Sequence, residues 1–526
     1  MEGEPFKADD LSVLLAHYVE AEISKRLGSV EALREGAIEP EGAHIVEQQI
    51  LELLMEKRAF LLERIPVTPD TILADILSDR GYLKRVAEIA VERLCGGPEA
   101  PSLRIAPKRL TRYDIKEALG EGLNFGLIFG AESIYFQDTV LAFQADEARS
   151  RLHQARRVNV LGVHMRWLTE AGEATRSLLV DKTGLVKEVQ FEEAVSLHVV
   201  QTLHLPRAGE ILLHQRISQL FENKGIDQIN PYGASARADD KAWTHCLWER
   251  YLGDKILSPD FQLIGRTSTV QQALTALRTF VEKIGRRQGL QVLGVVLQPN
   301  KGTEGYMVER FEVDPAKTYE IDEDHPVVHH LMALLKEDDA ILREERGNVR
   351  FYSDETPEER NKGYRRMALR VNVAWGGSGF FAESGYAQVS RDAQTFAASR
   401  GRGGSIVDID KALLNLYYPR DSTWVRLIPT GADIARIKQA AVNALQALNA
   451  GLPKGGYLKM VGIDIVLEVE AAEEEGIIQP VVLEANPRPA GLSHLREIQE
   501  ISGEKPKPMI STALFNTLRP LANRTT

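Results

Sequence analysis

The sequence predicts a fold of mixed α/β and α+β layers with an added helical segment at the N-terminus. Residues 9–96 carry apolar side chains at helical spacing, interrupted at glycine and proline. Residues 101–235 then alternate strand-like apolar runs with helical stretches through short Gly-rich joints, a pattern typical of an α/β layer. Near the end of the chain, residues 457–496 contain two neighbouring strand-like runs separated by an acidic turn. A chain of 526 residues is too long for one ordinary domain, so we expect several.

Apolar periodicity and turn residues predict the individual elements in order. The predicted helices that matter below are 212–224, 238–252, 268–285, 325–336, 407–417, 431–449 and 507–518. The predicted strands before the final pair include 122–130, 158–163, 195–205, 261–265 and 292–297. Residues 1–100 contain no set that suggests chemistry, and we expect this helical segment to pack against the rest of the chain or to form a homodimer.

The composition restricts the class of partner. The apolar fraction of 44% and charged fraction of 26% are ordinary for a globular protein, and a net charge of −11 does not suit a nucleic-acid-binding surface. Two cysteines, Cys95 and Cys246, are too few for a disulfide scaffold or a thiolate zinc site and suit a reducing compartment. The N-terminus lacks the apolar core of a signal peptide, and no apolar run is long enough to cross a membrane. We therefore expect a cytoplasmic protein with small-molecule substrates and with neither a nucleic-acid nor a membrane partner.

Oxygen-bearing side chains occupy matching places on the final pair of strands. Asp464 lies inside the apolar run 461–467, and Glu484 and Asn486 end the run 480–486. Side chains alternate faces along a strand, so Glu484 and Asn486 point the same way, and pairing of the two strands would bring Asp464 close to them. Two carboxylates and an amide oxygen are ligands that Mg²⁺ accepts together with phosphate and water oxygens. The alternative is a hairpin whose carboxylates are merely exposed at its ends.

The turn after the second strand adds a basic group. Residues 487–491 read Pro-Arg-Pro-Ala-Gly, in which the prolines and the glycine fix a turn and Arg488 offers a planar fork suited to carboxylate or phosphate. An Asp on one strand, followed by Glu-x-Asn-Pro-Arg-Pro-x-Gly on the next, resembles the metal-binding end of the ATP-grasp superfamily. The resemblance covers about residues 225–496. It implies that the three oxygen-bearing residues hold Mg²⁺, with Mn²⁺ as an alternative, on the phosphates of ATP, and that Arg488 orients a substrate carboxylate.

Two stretches resemble the nucleotide-binding lobe of that superfamily. Lys241 follows an Asp at the start of a helix, as in the family, although acidic residues at a helix start are also favourable for the helix dipole alone. The Gly-rich segment 298–308 resembles the phosphate loop, usually Lys-Pro-x-x-Gly-x-x-Gly, in which backbone N–H groups approach phosphate closely. Gln298 stands where the ATP-binding Lys is expected. Either Lys301, beside Gly302, supplies the charge, or nucleotide binding is unusual; taken alone, the segment favours a surface turn.

The resemblance assigns roles to two later groups of residues. Glu344 and Glu345 lie where the family has a strand that joins the lobes and pairs with adenine, and they are candidates for holding the ribose; charges on a helix surface are an equal alternative. Alternating apolar residues along 367–373 predict a strand with Arg366, Arg370 and Asn372 on its opposite face. Such a row either binds an anion or faces solvent. Its likeness to an Arg-x-Asn…Gly-Gly element of peptide-forming members implies that Arg370 contacts the transferred phosphoryl group, with Asn372 in the same element.

The organisation implied by these patterns is a helical segment (1–100), an α/β pre-domain (101–235), a small nucleotide-binding lobe (236–340) and a large lobe with the metal site (341–526). The implied reaction is an ATP- and Mg²⁺-dependent ligation. A substrate carboxylate attacks the γ-phosphate of ATP and becomes an acyl phosphate, from which an amine displaces phosphate. The alternatives are a kinase on the same fold, which stops at a phosphorylated metabolite, and a non-catalytic nucleotide-binding or scaffold protein, which Gln298 favours.

Overall fold

The structure is a computed structural model, and it describes part of the chain. The described residues are 111–113, 122–129, 158–180, 186–202, 211–253, 257–288, 292–301, 307–398, 403–469, 477–488 and 517. Those up to Gln228 belong to one compact unit, and those from Ile229 to Thr517 belong to a second. The helical segment predicted for 1–100, and with it the proposed homodimer contact, lies outside the described residues, as does the tail helix predicted at 507–518 apart from Thr517.

The first unit contains a mixed seven-stranded sheet in the order β1-β5-β4-β3-β2-β6-β7. Its strands are β1 Thr111–Tyr113, β2 Leu123–Phe129, β3 Val158–His164, β4 Ala174–Val180, β5 Val186–Val195, β6 Val199–Thr202 and β7 Asp227–Ile229. β2 runs parallel to both β3 and β6, whereas β4 is antiparallel to its neighbours. Helix α1, Ile211–Asn223, buries Ile217 and Phe221. Strands alternating with a helix confirm the α/β character expected of this region.

The second unit begins with two helices and then forms the small lobe, our name for a four-stranded antiparallel sheet with two helices on one face. The first helices are α2 Tyr232–Asp239 and α3 Lys241–Leu252; the small-lobe elements are β8 Phe261–Ile264, α4 Val270–Gln288, β9 Leu293–Pro299, β10 Glu309–Val313, α5 Pro326–Glu337 and β11 Ala340–Glu344. The strand order is β10-β9-β11-β8. Leu297 of β9 and Leu342 of β11 join the helices in one apolar core. Because side chains alternate along a strand, their neighbours Gln298 and Arg343 project from the opposite face of the sheet.

The large lobe is an eight-stranded sheet with a long helix across one face. Its elements are β12 Arg350–Phe351, α6 Pro357–Asn361, β13 Arg365–Trp375, β14 Phe380–Val389, β15 Ser405–Asp408, α7 Ile409–Leu413, β16 Leu416–Arg420, β17 Thr423–Leu427, α8 Gly431–Leu448, β18 Met460–Val469 and β19 Ile478–Asn486. β13 lies between β14 and β18, and β18 pairs with β19. The core between this sheet and α8 contains Leu369, Ile463 and Ala485, so the opposite face is free to carry polar residues. We call that opposite face of β13, β18 and β19 the cleft face.

Three predicted elements were wrong in their limits. The helix predicted at 238–252 begins at Lys241, because Asp240 is the residue before it and accepts the backbone N–H of Trp243. The helix predicted at 407–417 shortens to α7, since Asp408 ends strand β15 and caps the helix by accepting the N–H groups of Asp410 and Lys411. The strand predicted at 195–205 divides into the end of β5 and the short β6.

The alternation expected around 367–373 is confirmed in β13. Leu369 and Val371 are buried in the large-lobe core, whereas Arg370 lies on the cleft face. None of the described helices is long and apolar enough to cross a membrane. The mixed α/β and α+β fold class is therefore confirmed over the described residues.

Candidate active site

The final strand pair brings the three oxygen-bearing residues together. In the antiparallel pairing of β18 with β19, Asp464 lies opposite Glu484 and Gly462 lies opposite Asn486. The register shifts after Asp464, where Leu483 has no partner on β18. This β-bulge reverses the alternation of β19, so that Ala485 enters the core while Glu484 and Asn486 lie on the cleft face.

Asp464 is held by an arginine on the adjacent strand β13. The Nε and Nη2 atoms of Arg370 donate to its two carboxylate oxygens at 2.6 and 2.7 Å, and both side chains are about nine-tenths buried. Burial raises the pKa of Asp464, which Arg370 opposes, while the negative charge of Asp464 raises the pKa of Arg370. Gly462 makes room for this pair, because a Cβ atom at its position would lie 3.0 Å from Cδ of Arg370. The predicted phosphoryl-binding arginine is therefore already in a bidentate ion pair.

The donor set fits a hard divalent cation. A carboxylate has about four acceptor positions, and Asp464 uses three of them, for the two Arg370 bonds and for one from Nδ2 of Asn486 at 3.2 Å. Because Nδ2 of Asn486 donates this hydrogen bond, Oδ1 of the same side chain lies on the other side of the amide group. Among the described residues, no hydrogen bond or ion pair engages the carboxylate of Glu484. The described residues contain no group of three or more His, Cys, Asp or Glu side chains arranged for a metal, so a cation here needs the Asn486 oxygen and further oxygens from phosphate or water.

A basic residue that the motifs did not indicate faces these carboxylates from the small lobe. Arg343 of β11 is 8% exposed, and it lies near enough to Glu484 and Asp464 for their charges to raise its pKa against the lowering effect of burial, which prevails. Gln298 of β9 is buried on the same face of the small-lobe sheet. An arginine inside the apolar run that begins at Ala340 was the available signal in the sequence.

Lys241 and Lys301 converge at the end of β9. The Nζ atom of Lys241 lies 3.5 Å from the carbonyl oxygen of Asn300, and the Nζ atom of Lys301 lies 3.9 Å from the carboxylate of Asp240. The Asn300 side chain joins the two elements further, since its Oδ1 accepts the backbone N–H of the residue after Lys241 at 2.9 Å. The structure thus brings the two predicted lysines together beside Gln298. Gly302, in the predicted phosphate loop, lies outside the described residues.

Glu344 ends β11, Glu345 follows it, and both engage in polar contacts. Glu344 is fully buried, accepts the backbone N–H of Asp260 at 3.0 Å and lies 3.8 Å from Arg346. Glu345 accepts hydrogen bonds from Arg310 at 2.6 Å and from Arg366. Burial tends to raise the pKa of Glu345, but the two arginines lower it overall. Glu344 is a strand residue and Glu345 follows the strand directly, so neither lies on a helix and the helix-surface alternative is wrong, while their role in nucleotide binding stays a prediction.

A cavity of about 1030 Å³ opens beside these two glutamates. It is lined by the segment from Glu344 to Asn348, by strand residues such as Phe261 and Gly294, and by His245 of α3. His245 stacks on Phe261 with ring centroids 4.9 Å apart, and both of its ring nitrogens are buried without a hydrogen-bond partner among the described residues. Burial, together with the charges of Arg343 and Lys241, lowers the pKa of His245 to about 3, so its ring is neutral. No motif in the sequence indicated that His245 lines this cavity.

Arg488 follows β19 and pairs with a carboxylate of the chain itself. Its Nη1 donates to Asp239 at the end of α2, and the two side chains are each 11% exposed. A substrate carboxylate that uses this guanidinium must share it with Asp239. Nearby, Asn230 binds both strand ends, since its Nδ2 donates to the carbonyls of Met460 and Pro487 and its Oδ1 accepts the N–H of Met460. The predicted substrate-binding turn is thus fixed to the start of β18.

Asn372 lies on the cleft face of β13, opposite Gly462 of β18. A Cβ atom at Gly462 would lie 3.3 Å from its Oδ1, so Asn372 shares the glycine gap with Arg370. Of the predicted site residues, the structure brings the carboxylates, Asn486, Arg370 and Asn372 to adjoining positions on three paired strands.

Comparisons with known proteins are confined to structure. No protein-family model matches the chain. No curated protein matches it either. Among solved structures, it is similar to a D-cycloserine synthetase at 15% identity, a TM-score of 0.42 and coverage of 77% of this chain and 100% of the other. It is similar to D-alanyl-alanine synthetase A from Vibrio cholerae at 13% identity, a TM-score of 0.42 and coverage of 77% and 99%.

A third similar structure is an ATP-grasp ligase complexed with Mg and ADP, at 12% identity, a TM-score of 0.39 and coverage of 76% and 98%. All three TM-scores lie below 0.5.

Proposed function

We propose that this chain is an ATP-grasp enzyme that activates a substrate carboxylate with ATP and joins it to an amine. The observation that carries the proposal is the pairing of β18 with β19, which places Asp464 opposite Glu484 and directs Asn486 to the same face. A buried carboxylate is costly unless it has partners, and here the partners are an arginine and an amide rather than water. Such a group of oxygens and cations is suited to a metal–polyphosphate ligand.

Glu484, Asn486 and the remaining acceptor position of Asp464 would hold Mg²⁺. When bound, this ion neutralises phosphate charge and polarises the phosphoryl group that is transferred. Arg370 lies on β13, the strand next to β18, and its ion pair with Asp464 leaves it little freedom to move. Its positive charge would face the transferred phosphoryl group, while Lys241 and Lys301 approach from the end of β9.

The cavity beside Glu344 and Glu345 would hold the base and ribose. Its apolar wall is the ring of Phe261 with the neutral imidazole of His245 against it, and its polar rim is formed by Glu345 and Arg346. A volume of about 1030 Å³ is ample for a nucleoside, since ligand sites commonly measure about 300–1,000 Å³. The cavity adjoins β11, and Arg343 on that strand leads from it toward Glu484.

The substrate carboxylate would lie near Arg488, which follows the metal-binding strand directly. A carboxylate is a poor electrophile because oxide is a poor leaving group. Transfer of the γ-phosphoryl group to a carboxylate oxygen gives an acyl phosphate, and an attacking amine then expels inorganic phosphate and forms an amide. The protein contributes positioning and charge neutralisation to both steps.

The test is ATP turnover with Mg²⁺ over a panel of amino acids and other carboxylic acids, each with and without an added amine. ADP release that needs both substrates supports the ligase. ADP release without an amine would favour a kinase on the same fold. Absence of both ATP binding and turnover would contradict the proposal and favour the scaffold alternative that Gln298 raised.

The matched variants are Glu484→Gln and Glu355→Gln. Glu484→Gln keeps the shape but removes a metal ligand, and we expect turnover to fall by about 10²–10³-fold, the usual effect of removing one electrostatic contact to a transition state. Glu355 forms an exposed pair with Lys411 at 2.6 Å, and such surface pairs contribute little. Its variant should keep wild-type activity, and equal losses in both variants would contradict a metal-binding role for Glu484.

A further inference from the structure

We propose that Arg343 is the small-lobe residue that binds the phosphate groups of the nucleotide, in place of a lysine at position 298. This inference rests on the proposed function and adds a binding residue that the sequence motifs did not indicate. Gln298 leaves position 298 without the positive charge of the expected lysine, and Arg343 carries a positive charge on the neighbouring strand β11.

The two side chains lie close together on one face of the small-lobe sheet. In the pairing of β9 with β11, Gln298 lies opposite Ile341, and Arg343 lies opposite Val296. Residues two apart on a strand share a face, so Arg343 and Gln298 are diagonal neighbours on that face, within reach of a long side chain. The opposite face is filled by the core residues Leu297 and Leu342, which leaves this one to face the large lobe.

Arg343 has the burial of a core residue but lacks the contacts that a buried guanidinium needs. It is 8% exposed, its Nε atom is enclosed without a hydrogen-bond partner, and no described residue forms a hydrogen bond or ion pair with its guanidinium. Gln298 is 2% exposed, and its Nε2 atom likewise has no partner among the described residues. Buried donors without acceptors are unfavourable. Two such donors side by side indicate an acceptor-rich ligand, and phosphate oxygens suit an arginine fork and an amide N–H.

The alternative role for Arg343 is a counter-ion for the carboxylates of the large lobe. Asp464 and Glu484 are near enough to act on it electrostatically. Asp464, however, is already neutralised by its bidentate pair with Arg370. Glu484 acts on Arg343 only through space, since no hydrogen bond or ion pair among the described residues joins the two side chains. A counter-ion role therefore leaves the donors of the Arg343 guanidinium unused, whereas the oxygens of an anionic ligand would occupy them.

The experiment measures binding of ATP and of adenosine, both with Mg²⁺, to the full chain by titration calorimetry. The variants are Arg343→Gln, the exchange variant Gln298→Lys with Arg343→Gln, and Arg286→Gln as a control. Arg286 is exposed on α4 of the same lobe, where it pairs with Glu282. We expect Arg343→Gln to weaken ATP binding by about 10–100-fold, the effect of losing charged hydrogen bonds, without changing adenosine binding. The exchange variant should recover most of the lost affinity, and the control should bind both ligands as the wild type does.

The ratio of ATP to adenosine affinity separates phosphate binding from a structural role. If Arg343→Gln binds ATP as tightly as the wild type, or loses ATP and adenosine binding equally, this inference is overturned while the proposed function stands. A wild-type protein that binds neither ligand would overturn the proposed function as well. If Arg343→Gln does not fold, Arg343→Lys keeps the charge but loses the fork; weaker ATP binding with unchanged adenosine binding then supports the inference, and an unchanged ratio overturns it.

Discussion

Asn230 offers the sharpest test of how the site is assembled, because one side chain joins three backbone segments. It is 5% exposed and has a backbone φ of 57°. Its Nδ2 donates to the carbonyl oxygens of Met460, at 2.6 Å, and of Pro487, and its Oδ1 accepts the N–H groups of Lys459 and Met460 at 2.8 and 3.1 Å. These bonds fix the start of β18 and the residue after β19, and therefore the two strands that carry Asp464 and Glu484.

Removal of this side chain should be strongly destabilising. Four hydrogen bonds at about 1 kcal/mol each give a loss of about 4 kcal/mol in the free energy of unfolding for Asn230→Gly. Asn230→Ala removes the same bonds and also holds a residue with a Cβ atom in the left-handed backbone conformation. We therefore expect it to be less stable than the glycine variant by about 0.5–1 kcal/mol. Asn361, an exposed residue at the end of α6, provides the control, and Asn361→Ala should change stability by less than about 0.5 kcal/mol.

The assay is urea unfolding followed by tryptophan fluorescence, with the change in midpoint at constant slope as the measure of stability. Turnover of each variant is measured under native conditions as well. A loss below about 1 kcal/mol for Asn230→Gly would refute the reasoning, since it would mean that the four bonds contribute nothing net over water. An alanine variant more stable than the glycine variant would refute the contribution of the backbone conformation.

Two further predictions follow from the packing around the site. Gly462→Ala places a methyl group 3.0 Å from Cδ of Arg370, so we expect a loss of about 1–3 kcal/mol in unfolding free energy and at least a roughly tenfold loss of turnover. The control is Gly455→Ala, where a Cβ atom meets nothing within 4 Å, and it should change neither quantity. Equal effects of the two variants in urea unfolding and in turnover would contradict this prediction. His245 has its pKa lowered to about 3 in the folded state, so the unfolded chain takes up the proton first as pH falls. The contribution of the neutral His245 ring to stability is therefore present above pH 6.5 and decreases toward pH 3, with a loss of about 2 kcal/mol between pH 6.5 and 5. His245→Phe should abolish this loss. Identical pH dependence of unfolding in the two proteins would show that the imidazole is not responsible.

Local sequence patterns predicted the parts of the site that are local in the chain. Glu484 and Asn486 are two residues apart on one strand, and strand periodicity alone directs both to one face. The position of Glu484 opposite Asp464, with Asn486 close by, also followed from simple pairing of neighbouring strands. The row with Arg370 followed from the alternation in β13 in the same way.

The parts that the sequence did not predict depend on contacts between distant segments. Arg343 lies beside β9 and near the charges of Asp464 and Glu484, and neither fact is visible in its own strand. The pairing of Arg488 with Asp239 joins residues 249 positions apart. The short helix α7 was overestimated because its apolar spacing continues into β16, where tertiary pairing with β17 selects a strand.

The unpaired Leu483 in β19 has a consequence for how this region tolerates changes in length. Side chains on a regular strand alternate between its two faces, so residues two apart share a face. The extra residue Leu483 breaks this rule, because Val482 faces the core while Glu484, two residues later, lies on the cleft face. Deletion of Leu483 would place Glu484 directly after Val482, and regular alternation would then keep Val482 in the core and Glu484 on the cleft face. Residues added in the connection between β18 and β19 leave the faces of Val482 and Glu484 unchanged. We therefore expect removal of Leu483 to be tolerated, whereas removal of Ala485, which would turn Asn486 toward the core, should disrupt the metal site.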